Sequence, residues 1–244
     1  MAVMKKAMTM LAPVAALLMA CDDGSVTDPV YTDDTKTFAV EVRGTFHGLS
    51  QWGDGLSLAL AGYDGESRYS TIQKNLPQTE DKGMADTISL SKIPSSTKTI
   101  EIAVANNLRQ KVASLFSYEI PEDQHPDDVI ELDLGDIDAS MFGAVDKAVF
   151  QGLSCAQCHQ GVTPPAGLDL TTANAWAALV NHQSAKEPGQ TLVKPGDANG
   201  SFLVKVITDG DDNVHYSHPG LFVEDDAKPL LTLIKAWIDG GAKK

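Results

Sequence analysis

Only three cysteines occur in 244 residues. A disulfide framework is therefore excluded, because two of them lie three positions apart and the third, Cys21, stands near the N-terminus. Thioether ligands are missing from the distal part of the chain, since all seven methionines precede Cys155. Positive charge is scarce as well: 19 Lys and Arg face 33 Asp and Glu, for a net charge of −14, which argues against a nucleic-acid partner. The apolar run from Ala7 to Ala20 is too short to span a bilayer. A hydrophobic content of 43% is nevertheless that of a globular protein, so disorder is not expected.

What is present begins with a leader. Lys5 and Lys6 precede the apolar run, which has the form of an export signal over residues 1–20. It ends in Leu18-Met19-Ala20-Cys21, which resembles the lipobox of bacterial lipoproteins, where the cysteine becomes the acylated first residue. The resemblance implies lipidation at Cys21, a membrane partner reached through a lipid anchor, and a place in the bacterial cell envelope, facing the periplasm or outside. Removing residues 1–20 takes away two lysines and no acid, so the remainder carries −16. Residues 21–36 are polar and acidic and are expected to form a tether, with a root-mean-square reach of roughly 20 Å.

From Phe38 the apolar period is two, as in Val40/Val42, Leu56/Leu58/Leu60, Ile100/Ile102/Val104 and Ile130/Leu132/Leu134. Turn residues such as Asp64-Gly65 and Pro94-Ser95-Ser96 separate these runs. Six or seven short strands over residues 37–138 predict an all-β immunoglobulin-like sandwich. Near Asp138 the period changes to that of helices. Met141 to Gly152 predicts one, Thr172 is expected to cap a second, Ser201 a third, and Leu230, Leu233, Ile234, Trp237 and Ile238 form the stripe of a fourth.

The first of these helices runs into Cys155-Ala156-Gln157-Cys158-His159, the C-x-x-C-H pattern of covalent haem attachment. Two thiols at this spacing can add to the vinyl groups of one haem, and the adjacent histidine can ligate its iron from below. A zinc site would need two further ligands at similar spacing, and no second Cys pair exists. A thioredoxin-like C-x-x-C and a plain buried Cys pair also fit the thiols, but neither uses the histidine. The expected cofactor is one haem c, with His159 as proximal iron ligand.

Together with Gly167-Leu168-Asp169-Leu170, Val193-Lys194-Pro195-Gly196-Asp197 and Trp237-Ile238-Asp239-Gly240-Gly241, this motif resembles the class I monohaem cytochrome c domains of bacterial lipoproteins. The resemblance covers residues 139–244 and implies an all-α cytochrome c haem domain following the sandwich, with Phe150 and Trp237 near the macrocycle. The family takes a methionine as second iron ligand shortly before the last helix. Here the corresponding stretch is His215-Tyr216-Ser217-His218-Pro219. His218 is the expected distal iron ligand, because Pro219 reproduces the family's Met-Pro step; His215 is the alternative. Imidazole in place of thioether implies a lower potential. The acidic run Asp209-Gly210-Asp211-Asp212-Asn213 lacks the glycine and glutamate of a calcium loop and is expected to be solvated.

The expected activity is electron transfer between redox partner proteins outside the cytoplasm, with no chemistry on a substrate, so the chain is not expected to be an enzyme. Two other readings stand beside it. A five-coordinate haem would bind a diatomic gas or peroxide. Alternatively the β module would bind a partner or glycan, with the haem part as its accessory.

Overall fold

A computed structural model describes residues 37–244 except 54, 79–83, 126, 215 and 226, with the backbone alone for 84–86. The leader, Cys21, the tether and His215 therefore lie outside the described residues. Seven strands form two sheets: β1 (Thr37–His47), β4 (Met84–Pro94) and β7 (Val129–Asp138) in the order β4-β1-β7, and β2 (Leu56–Tyr63), β3 (Ile72–Asn75), β5 (Thr99–Asn106) and β6 (Lys111–Glu119) in the order β3-β2-β5-β6. Val40 and Val42 from one sheet and Leu58, Leu60, Ile100 and Ile102 from the other are almost fully buried in one shared core. The period-two apolar residues thus face inward, where each large side chain contributes roughly 1.5–3 kcal/mol by burial.

The strand order is not that of an immunoglobulin domain, whose first strand lies beside its second. Here β1 is flanked by β4, antiparallel, and by β7, parallel. Alternation assigns each strand an inner and an outer face and leaves its neighbours undetermined.

The C-terminal half corrects the second fold expectation. Among the described residues, helix is confined to five short α-helices and a few single turns, and the chain is mixed, about 33% strand and 26% helical. It does not form an all-α cytochrome c domain. Helix α1 (Met141–Val145) passes directly into a π-helical segment, Asp146–Gln151; α2 (Cys155–Cys158) is one turn; α3 (Ala175–Leu179) and α4 (Phe202–Thr208) are short; α5 (Lys228–Asp239) is the longest. Between Cys158 and Phe202, glycine and proline interrupt the helical period. Isolated bridges, Val180 to Val193 and Gln183 to Thr191, hold the backbone there instead. Thr172 does not cap α3, which begins after Asn174. Ser201 precedes α4, but its hydroxyl donates to the carbonyl of Asp197.

The apolar stripe of α5 and the inner side of α1 join the same continuous core as the strands. The described residues belong to one compact unit. Polar bonds reinforce that union. Trp52 donates its indole N–H to the carbonyl of Ala139 at 2.7 Å, Lys147 Nζ donates to the carbonyl of Leu115, and Gln51 donates to that of Lys244 at 2.8 Å. Gly48, with φ of 84°, sits so close to Ser140 that a Cβ would meet it at 2.5 Å.

Candidate functional site

The C-x-x-C-H motif is built by three successive changes of backbone. The π-helical segment widens the turn before it, and its closing bond runs from Gly152 N–H to the carbonyl of Lys147. A Cβ at Gly152 would lie 2.5 Å from the carbonyl oxygen of Ala148, so glycine is required where that turn closes. Ser154 then adopts a left-handed conformation, φ 64°, which ends the helix and starts α2 afresh. In this single turn Cys155 and Cys158 fall three apart, on one side of the helix. His159 follows as the residue that leaves it.

All three border a cavity of about 700 Å³, within the range of small-molecule and cofactor sites. Phe150, Leu170, Phe202, Val206, Phe222 and Ile234 supply an apolar wall. His218 also borders it, at the start of a tight 3-10 turn over His218–Phe222 whose second residue is Pro219. The rings of His159 and His218 face one another with centroids 6.2 Å apart and planes at 41°.

Both rings are held in the same way. Nδ1 of His159 meets the carbonyl of Leu168 at 3.2 Å, and Nδ1 of His218 meets that of Tyr216 at 3.0 Å. A carbonyl only accepts, so in each ring Nδ1 carries the proton and Nε2 is left with its lone pair. Such carbonyl partners orient metal-binding imidazoles and raise their basicity. Burial holds His218 below the ordinary imidazole value; the bond to Tyr216 opposes this and the nearby His159 reinforces it. The neutral, ligating form is thereby favoured.

Distance discriminates between possible ions. A metal–nitrogen bond of about 2.0 Å plus roughly 1.1 Å from that nitrogen to the ring centre puts each centroid about 3.1 Å from a shared ion. Rings on opposite sides of it would then lie about 6.2 Å apart, and rings at a tetrahedral angle about 5.1 Å apart. The observed 6.2 Å would leave room for one ion between the two imidazoles. Among the described residues no group of three or more His, Cys, Asp or Glu gathers as a metal site. A haem would ask the chain for no more than two iron ligands. These residues fit a haem.

The thiols differ from one another. Cys155 is partly buried, Cys158 is exposed, and burial pushes the Cys155 thiol up to about 11. A disulfide-exchanging C-x-x-C needs the opposite, a lowered first thiol. Phe150 lines the cavity as expected from the resemblance, but Trp237 does not. Trp237 is 1% exposed, packs on Phe142 at 5.3 Å and donates to the carbonyl of Lys243 at 2.8 Å. Its helical stripe points into the core shared with α1.

Two contributors escaped the sequence. The segment 184–186 forms part of the wall, set by the buried Ser184, whose hydroxyl accepts from the backbone N–H of Lys186 and of Glu187 at 3.1 Å. Tyr216, 62% exposed, places its ring edge-on to His218 at 5.0 Å. A second cleft, about 580 Å³ and lined by Phe38, Thr97, Thr99 and Glu119 among others, has no cysteine or histidine in its wall.

In comparisons with known proteins, no family model matches this chain, and no curated protein or solved structure matches it significantly.

Proposed function

We propose that the chain is a membrane-anchored c-type cytochrome that passes electrons between redox partner proteins outside the cytoplasm. The observation that carries this reading is the opposed pair His159 and His218, each with Nε2 free, in an apolar cavity that also exposes both thiols of the C-x-x-C-H motif. Cys155 and Cys158 would hold one haem through thioethers, and His159 and His218 would hold its iron. When bound, the haem supplies one-electron chemistry, at a lower potential than thioether ligation gives.

The remaining work belongs to the chain. The Nδ1–carbonyl bonds keep each imidazole in one tautomer and one orientation whatever the charge opposite it. The wall of Phe150, Leu170, Phe202 and Phe222 keeps water from the centre, so little solvent reorganises when charge changes. Acylation of Cys21 would hold the protein at the membrane, with residues 21–36 as its tether.

The direct test is extraction. Haem should stay on the polypeptide through acid–acetone and on a denaturing gel; free extraction of all haem would refute covalent attachment.

A further inference from the structure

Three of the six large apolar side chains exposed among the described residues line this cavity or lie in segments that adjoin its wall. Tyr216, 62% exposed, lines it; Val223, 58% exposed, directly follows the lining residue Phe222; fully exposed Val162 lies in the loop between the lining residues His159 and Pro165. Cys158, which also lines the cavity, is exposed at its mouth. Apolar side chains left in water around a cavity mark a contact surface.

Charge around that mouth has one dominant sign. Helix α4 contributes Val206 and Ile207 to the wall, and the segment joining it to His218 contributes Val214 and Tyr216 and also carries Asp209, Asp211 and Asp212. Glu187 adjoins the lining residue Lys186, and Glu224 and Asp225 follow Phe222 within three residues. Against these six carboxylates stand Lys186, Lys205, Lys228 and Arg68, whose charge acts on Asp225. Two of the lysines are already paired, Lys205 with Asp211 at 2.6 Å and Lys228 with Asp225 at 2.7 Å. Asp212 and Glu224 are exposed.

We propose that this mouth, an apolar centre around Tyr216 within an acidic rim, is the docking surface for a basic redox protein. The inference rests on the haem reading above and adds the kind of partner. An acidic rim raises the local concentration of a cationic partner and speeds encounter, an effect that salt screens. Tyr216 then joins the two centres, since its ring is open to the partner on one side and touches the His218 ring on the other. One electron is exchanged with the partner's own redox centre; no bond forms or breaks and no proton moves.

Stopped-flow mixing of the reduced holoprotein with a strongly basic and with a strongly acidic single-haem cytochrome, at low and high salt, tests this. The second-order rate with the basic probe should be the faster at low salt and should fall steeply as salt rises. Tyr216→Ser should lower it at least about fivefold, with His218 kept in place because it bonds the backbone carbonyl of Tyr216 rather than its side chain. Asp212→Lys and Glu224→Lys should also lower it, whereas Glu131→Lys on β7 should not. An intact haem spectrum with equal rates for both probes, or a rate unmoved by Tyr216→Ser, overturns the docking surface alone. Absence of a haem spectrum in the wild type overturns the haem reading and the docking surface with it.

Discussion

Trp52 and Ala139 are joined by a buried hydrogen bond, indole N–H to carbonyl at 2.7 Å, and the residue after Ala139 is the N-cap of the helix that leads into the C-x-x-C-H motif. A side chain from the turn after β1 therefore fixes where the helical half begins. Trp52→Phe leaves the Ala139 carbonyl without its buried partner and should cost about 1–3 kcal/mol. The thermal midpoint should fall by several degrees, roughly 2–4 °C per kcal/mol at this chain length. Thermal denaturation followed by circular dichroism measures it, and an unchanged midpoint would show that the two halves are held by other contacts.

Acid should weaken the fold through specific carboxylates. Asp169 lies below the usual range because it accepts from Thr171 N–H at 2.9 Å, from the Thr171 hydroxyl at 2.7 Å and from Asn174 at 2.8 Å. Asp64 is lowered likewise by the N–H groups of Ser67 and Glu66. With a folded value below the unfolded one, about 3.9, each group stabilises above that value and loses its contribution as pH falls toward the folded value. Neutral pH should leave these contributions flat, and the loss should begin below about pH 4. Asp169→Asn should flatten part of that acid limb in denaturant titrations at stepped pH; an identical limb would assign the loss to other groups.

How far this was legible depended on the range of each signal. Val40, Leu58 and Ile102 showed their strands and inner faces because a two-residue period is local. The placement of β1 between β4 and β7 is a long-range outcome that no period encodes. Leu230 to Ile238 predicted α5 correctly, since its stripe is uninterrupted. The residues between Cys158 and Phe202 were read as more helical than they are, because Gly161, Pro164, Pro165, Gly167, Gly189 and Gly196 break any helix into turns. Spacing alone singles out Cys155, Cys158 and His159, whereas His218 enters only through the Met-Pro step of the cytochrome c domains that the sequence resembles. Tyr216 carried no signal beyond its position two residues before a histidine.

Replacing Cys155 and Cys158 together by Ala should abolish covalently bound haem, as judged by haem staining of a denaturing gel. A variant that still stains would place the attachment elsewhere.

Cys21→Ser should leave the protein unprocessed or soluble, while the wild type partitions with membranes and releases only with detergent. Wild-type protein recovered in the soluble fraction with an unmodified N-terminus would contradict the lipid anchor.

The central claim is that His159 and His218 share one haem iron. It is tested most directly by the ultraviolet–visible and near-infrared spectrum of the oxidised protein before and after His218→Ala. The wild type should be low-spin, without the weak long-wavelength absorption of methionine ligation, and inert to carbon monoxide when reduced. His218→Ala should turn it high-spin and open it to carbon monoxide. A wild type that is already high-spin and binds carbon monoxide readily, or a His218→Ala spectrum identical to the wild type, would contradict the account.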